Sequence, residues 1–228
     1  MMLLDALKDN SFFYISLTML AFCIGNAMQN KWKHAVLNPI LIGAGIVMIV
    51  LSLLNVPVAD YQEGCRPLSY LMTPATICLG ISFAEQVEKL KKHMAAIIVG
   101  VAAGTVCSLS SVAGMAYLFG MDRVMTISVL PKSVTTAIGV AISEQAGGIG
   151  AVTAAAIILT GILGNMAGPV LTKVFHIEDE IAQGVAYGTA SHVIGTSRAM
   201  ERSPLAGAAG SLALTVAGLL TSLFFLVL

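Results

Sequence analysis

In 228 residues the chain carries 57% hydrophobic and only 11% charged residues, with mean hydropathy +0.89 and a formal net charge of zero. A soluble domain has about 25% charged residues, so this composition excludes a water-covered globule, and the balanced charge gives no sign of a nucleic-acid partner. Apolar runs of roughly 20 residues, the length a helix needs to cross the hydrocarbon core, place the chain in a lipid bilayer.

In chain order, strong runs occupy residues 11–28, 34–54, 94–119, 150–174 and 206–228. Weaker ones, interrupted by Pro, Gly, Ser, Thr and charge, occupy residues 67–84, 124–143 and 181–198. The expected fold is all-α: a polytopic transmembrane bundle of about eight segments, some broken or re-entrant, forming one domain over residues 1–228. Residues 11–54 are expected to be a scaffold and to build a homodimer interface. The first run reads as a retained span, because Lys8 is offset by Asp5 and Asp9 and the run is long for a signal core. Cys23, Cys65, Cys78 and Cys107 lack metal-ligand spacing and are expected to pack as small hydrophobes, and no metal or cofactor is expected.

Basic residues mark cytoplasmic loops. With eight crossings, Lys31, Lys33, Lys89, Lys91, Lys92, Arg198 and Arg202 fall on one side, while Lys8, Arg66, Arg123 and Lys173 fall on the other. That bias puts the first set inside and both termini outside. A weak segment that is re-entrant instead of crossing would move every later loop to the other face.

Sliding the chain on itself by 59 residues lays residues 71–86 over residues 130–145, with Gly80, Glu85 and Gln86 falling on Gly139, Glu144 and Gln145. Transporters are often built from such repeats, and the expected units are residues 61–119 and 124–175. Both matched segments open on a helix-breaking cluster, Thr73-Pro74-Ala75-Thr76 and Pro131-Lys132-Ser133-Val134-Thr135-Thr136. Broken helix survives at membrane depth only inside protein or beside a wet cavity. A helix starting there turns unpaired N–H groups and a positive dipole end toward that cavity, which suits an anion.

Lys132 beside such a break reads as a cation facing an anionic substrate, the alternative being a lysine that snorkels to the interface. Ser133, Thr135, Thr136 and, from the first cluster, Thr76 would supply hydroxyls. A third polar segment at residues 181–200 contains Thr189, Ser191, His192 and Arg198 among small residues. Thr189, Ser191 and His192 are candidates across the same cavity. His192 reads either as a proton-coupling group or as a neutral ring bonded to a neighbouring helix. Arg198 reads either as a substrate clamp or as part of a headgroup-level cluster with Glu201 and Arg202. Glu144 is the preferred proton-coupling carboxylate over Glu85. Ser191 and His192 are adjacent and cannot pair as nucleophile and base, and no hydrolase or zinc-protease motif occurs, so no enzyme is expected.

Leu130-Pro-Lys-Ser-Val-Thr-Thr136, Ile142-Ser-Glu-Gln145 with Gly147-Gly-Ile149, and Gly188-Thr-Ala-Ser-His192 through Gly195-Thr-Ser-Arg-Ala199 resemble the LrgB/CidB family, as does Thr73-Pro-Ala-Thr76. The resemblance covers essentially the whole chain. Ala137 stands where that family usually has proline, and Ser197 where alanine is expected. It implies an antiholin-like role in murein hydrolase activity and autolysis, with a small LrgA/CidA-type membrane partner. It also implies kinship with plastidial glycolate/glycerate translocators and a place in the bacterial inner (cytoplasmic) membrane. The residues themselves favour a transporter with a central carboxylate site, alternating access and proton coupling, and the resemblance implies small monocarboxylates such as pyruvate, glycolate or lactate as its cargo. An antiholin-like regulator is the alternative.

Overall fold

A computed structural model describes residues 10–32 and 39–228, and every regular element among them is a helix. Lys33 and the start of the run at 34–54 lie outside the described residues. The chain divides into two compact units, residues 1–78 and 79–228.

In the first unit, α1 (Ser11–Trp32) and α2 (Pro39–Leu53) meet at glycines, which let helix backbones touch. A Cβ on Gly25 would sit 2.8 Å from the Pro39 carbonyl oxygen, and one on Gly43 3.4 Å from the Phe22 nitrogen. Tyr14, Ala21, Val47, Leu51 and Val56 make the core. Two short helices follow, α3 (Val58–Gly64) and α4 (Arg66–Tyr70). Thr18 donates to the Tyr14 carbonyl, so the Tyr61 hydroxyl donates to Thr18 Oγ1, at 2.8 Å. α5 (Met72–Lys91) runs from the first unit into the second.

The second unit holds α6 (Met94–Leu118), α7 (Arg123–Val129), α8 (Thr136–Gln145), α9 (Gly150–Val174), α10 (Glu180–Arg202) and α11 (Pro204–Val227). Among the described residues four helices are long and apolar enough to cross a membrane: α1, α6, α9 and α11. The protein is thus an integral membrane protein of helical type, with four such helices and the shorter apolar α2 among the described residues.

Two of the expected segments, residues 124–143 and 181–198, are interrupted by hairpins. Ser191 (φ −136°, ψ 20°) and His192 (φ 43°, ψ −136°) leave helical geometry inside α10, and His192 takes the left-handed region that a side chain rarely adopts. Beyond them the chain turns back. A Cβ on Gly195 would lie 2.5 Å from the Tyr187 carbonyl oxygen, although eight residues of straight helix would separate those levels by about 12 Å. The register on α11 agrees. Gly184 abuts Ala206 and Gly188 abuts Gly210, so the first arm runs parallel to α11; Thr196 abuts Gly210 and Met200 abuts Gly207, so the second runs antiparallel. α10 is therefore a hairpin with its tip at Ser191–His192.

α7 and α8 make a second hairpin around residues 130–135. Ser128 and Ser143, one on each side of the break, converge on Gly148, and Ser128 Oγ accepts from the Ile149 N–H at 2.7 Å. Residues 124–143 and 181–198 therefore enter and leave at one end. The repeat match fares differently in its two copies. Residues 73–76 open α5, with Pro74 in the first turn where no backbone donor is missed, whereas residues 131–136 form a tip. The cysteines also depart from expectation: Cys23, Cys78 and Cys107 lie exposed on outer helix faces, not packed inside.

Candidate functional site at the meeting of two hairpins

The two hairpins approach from opposite ends of α6. Along the α10 hairpin's first arm, Val185 faces Gly100 and Thr189 faces Gly104, so this arm climbs parallel to α6 from its start. The α7–α8 hairpin descends from the other end. Val129 and Leu130 pack on Leu109 and Val112, and Ser133 Oγ lies 2.9 Å from Ser108 Oγ. The tips therefore meet beside Thr105 and Ser108, in the middle of the 25-residue α6.

Thr105, Ser108, Ser133, Thr189 and Thr221 present hydroxyls to one small cavity of about 10 Å3, room for about a single water molecule. Two of these hydroxyls, Thr105 Oγ1 and Thr189 Oγ1, are buried without a hydrogen-bond partner among the described residues. The two residues are only 5% and 6% exposed. Lys132 Nζ donates to Ser133 Oγ at 3.3 Å and makes no ion pair among the described residues. Thr135 is the N-cap of α8 with extended geometry (φ −67°, ψ 149°), but its side chain does not cap. The first N–H groups of α8, from Thr136 onward, thus start at the tip.

The other sequence candidates take different places. His192 is buried and its Nε2–H donates to the Ile157 carbonyl of α9 at 2.9 Å. Gly161 lies under the ring, where a Cβ would meet Cε1 at 2.6 Å. Ser191 packs on Gly164 of α9. Both side chains face α9, and neither lines the hydroxyl cavity. Glu144 is exposed at the far end of α8, with its carboxylate over Gly150 at the start of α9, a favourable place for negative charge. Arg198 pairs with Glu201 on the second arm of α10. The Thr76 side chain lies outside the described residues.

Thr105, Ser108 and Thr221 were not singled out from the sequence. The available signal was Thr105-Val-Cys-Ser108, two hydroxyls three residues apart on one helix face, midway along a mostly apolar run that also holds Ser110 and Ser111. Beyond the cavity, Leu109 and Leu130 cluster with Phe225. Phe225 in turn borders an open cleft of about 400 Å3 that includes Ile142, Gln145 and Ser222.

Comparison with known proteins gives this arrangement a family. The profile of the LrgB-like family matches residues 18–228. The chain belongs to the LrgB-like family. This LrgB-like chain is 33% identical over 211 residues to the antiholin-like protein LrgB of Bacillus mycoides, covering 92% of each. It is 29% identical over 214 residues to the holin-like protein CidB of Staphylococcus epidermidis, covering 94% of this chain and 93% of the relative. It is also 34% identical over 205 residues to the uncharacterized protein YwbG of Bacillus subtilis, covering 90% of this chain and 91% of the relative. No solved structure matches.

Proposed function

We propose that this protein acts in the bacterial cytoplasmic membrane as an antiholin-like regulator of murein hydrolase activity and autolysis, with a small LrgA/CidA-type membrane partner. The support is its similarity, over more than nine-tenths of its length, to proteins named antiholin-like LrgB and holin-like CidB. Deleting its gene should change the autolysis rate of the host, and restoring it should reverse the change; an unchanged rate would remove this reading.

One observation favours a second reading, the transport of small monocarboxylates. Two hairpins entering from opposite ends and meeting at mid-helix, with hydroxyls, Lys132 and the α8 N-terminus at their tips, make an arrangement that suits a small anion. In this reading the repeat unit is a long helix plus a hairpin, α6 with α7–α8 and α9 with α10, inverted in the membrane. The sidedness follows. In the second unit, among the described residues, Lys89, Lys91, Lys92, Lys173, Arg198 and Arg202 gather at the α6 N-terminal end and Arg123 at the other, so the former end is cytoplasmic. Lys173, which eight crossings set apart, joins the rest. Pure protein in liposomes should carry labelled glycolate or pyruvate, faster with a proton gradient if transport is coupled. No flux, together with altered autolysis in cells, would leave the regulator alone.

A further inference from the structure

We propose that Thr105 and Ser108 of α6, with Thr189 and Ser133 from the two tips, form the binding site for the carboxylate end of a small acid, and that α6 is its fixed wall. This rests on the transport reading above. The argument begins with the two orphan hydroxyls. A buried hydroxyl without a protein partner is costly in a native structure and calls for a water or another bonding group from outside. Thr105 Oγ1 and Thr189 Oγ1 are both in that condition, and both line the same cavity. They come from different elements, so the coincidence is spatial and not a local feature of one helix.

The donor set then selects the ligand. Among the described residues every polar side chain lining the cavity is a hydroxyl, and the Lys132 ammonium, bonded to Ser133, is the charged neighbour. Among the described residues no carboxylate lines the cavity to compensate a cation. Each hydroxyl donates one hydrogen bond, and one of Ser108 and Ser133 spends its proton on the other, so Thr105, Thr189 and the remaining serine offer three donors, with the neighbouring Lys132 ammonium a fourth, to a group with two oxygens and four lone-pair sites. A carboxylate matches that count. The cavity of about 10 Å3 is too small for a whole acid, so the described conformation is closed around the polar end of the site. The remainder of the ligand would enter past Leu109, Leu130 and Phe225, the apolar cluster separating the cavity from the wide cleft at Ser222 and Gln145.

The test uses Thr105→Val and Thr189→Val, which keep the shape and remove the hydroxyl, in the full chain in nanodiscs. Acetate and glycolate are the probes, with chloride as control, and binding is read calorimetrically beside thermal unfolding and liposome flux. Each valine variant is expected to unfold at a temperature no lower than wild type without ligand, because an unsatisfied group has gone, and to bind glycolate at least tenfold more weakly. A purely structural threonine would instead lower the unfolding temperature. Wild-type flux with both variants binding and transporting normally would overturn the site while leaving transport standing. Wild-type glycolate binding lost in both variants, without any flux, would keep the site and remove transport. Chloride binding as tightly as glycolate would overturn the carboxylate assignment.

Discussion

α9 and α10 lie side by side and handle helix interruption in opposite ways. α9 contains Pro169, which removes a backbone donor, yet it remains helical for 25 residues. α10 contains no proline and reverses direction at Ser191–His192. The difference teaches that the decisive break here is imposed by neighbours. α9 offers α10 a wall with Gly168 under Tyr187, Gly164 under Ser191 and Gly161 under His192. α11 offers backbone-close contacts to Gly184 and Gly188. Together they hold two arms and a tip that a free sequence would have no reason to choose.

The heaviest blow to that arrangement is Gly188→Leu. A side chain there meets the Gly210 backbone, which cannot step aside, so the loss should be about 3 kcal/mol or more, seen as a failure to yield monodisperse protein or a sharply lowered unfolding temperature. Next comes the tip. His192→Ala removes the bond to the Ile157 carbonyl while keeping a side chain at positive φ, and should cost about 2 kcal/mol. His192→Gly loses the same bond but suits φ 43°, so it should be the milder change by about 1 kcal/mol. Equal losses in thermal unfolding would mean that the backbone at 192 is not strained. The smallest effect is expected from Pro169→Ala, under about 1 kcal/mol, because α9 is already accommodated around the proline.

Much of the broad plan was readable from the residues. Low charge and long apolar runs announced the membrane, and Pro131 with its Ser/Thr neighbours announced an interruption that the structure turns into a hairpin tip. The reversal in α10 was only half readable: Gly184, Gly188 and Gly195 marked close packing, but the choice of Ser191–His192 depends on Gly161 and Gly164, thirty residues earlier. The repeat match misread Pro74, since a proline cluster looks alike whether it starts a helix or interrupts one. Thr105 and Ser108 escaped notice because single hydroxyls are common in membrane helices. Only the convergence of two tips on them gives them meaning.

The re-entrant course of α10 carries the whole account and is open to a direct distance measurement. Spin labels at Glu180→Cys and Arg202→Cys, in a chain whose Cys23, Cys65, Cys78 and Cys107 are serine, report the separation of the two ends by pulsed electron resonance. A hairpin predicts backbones about one interhelical spacing apart, about 10 Å before the label arms are added. A 23-residue helix that simply crosses would hold them about 33 Å apart, and that result would contradict the account.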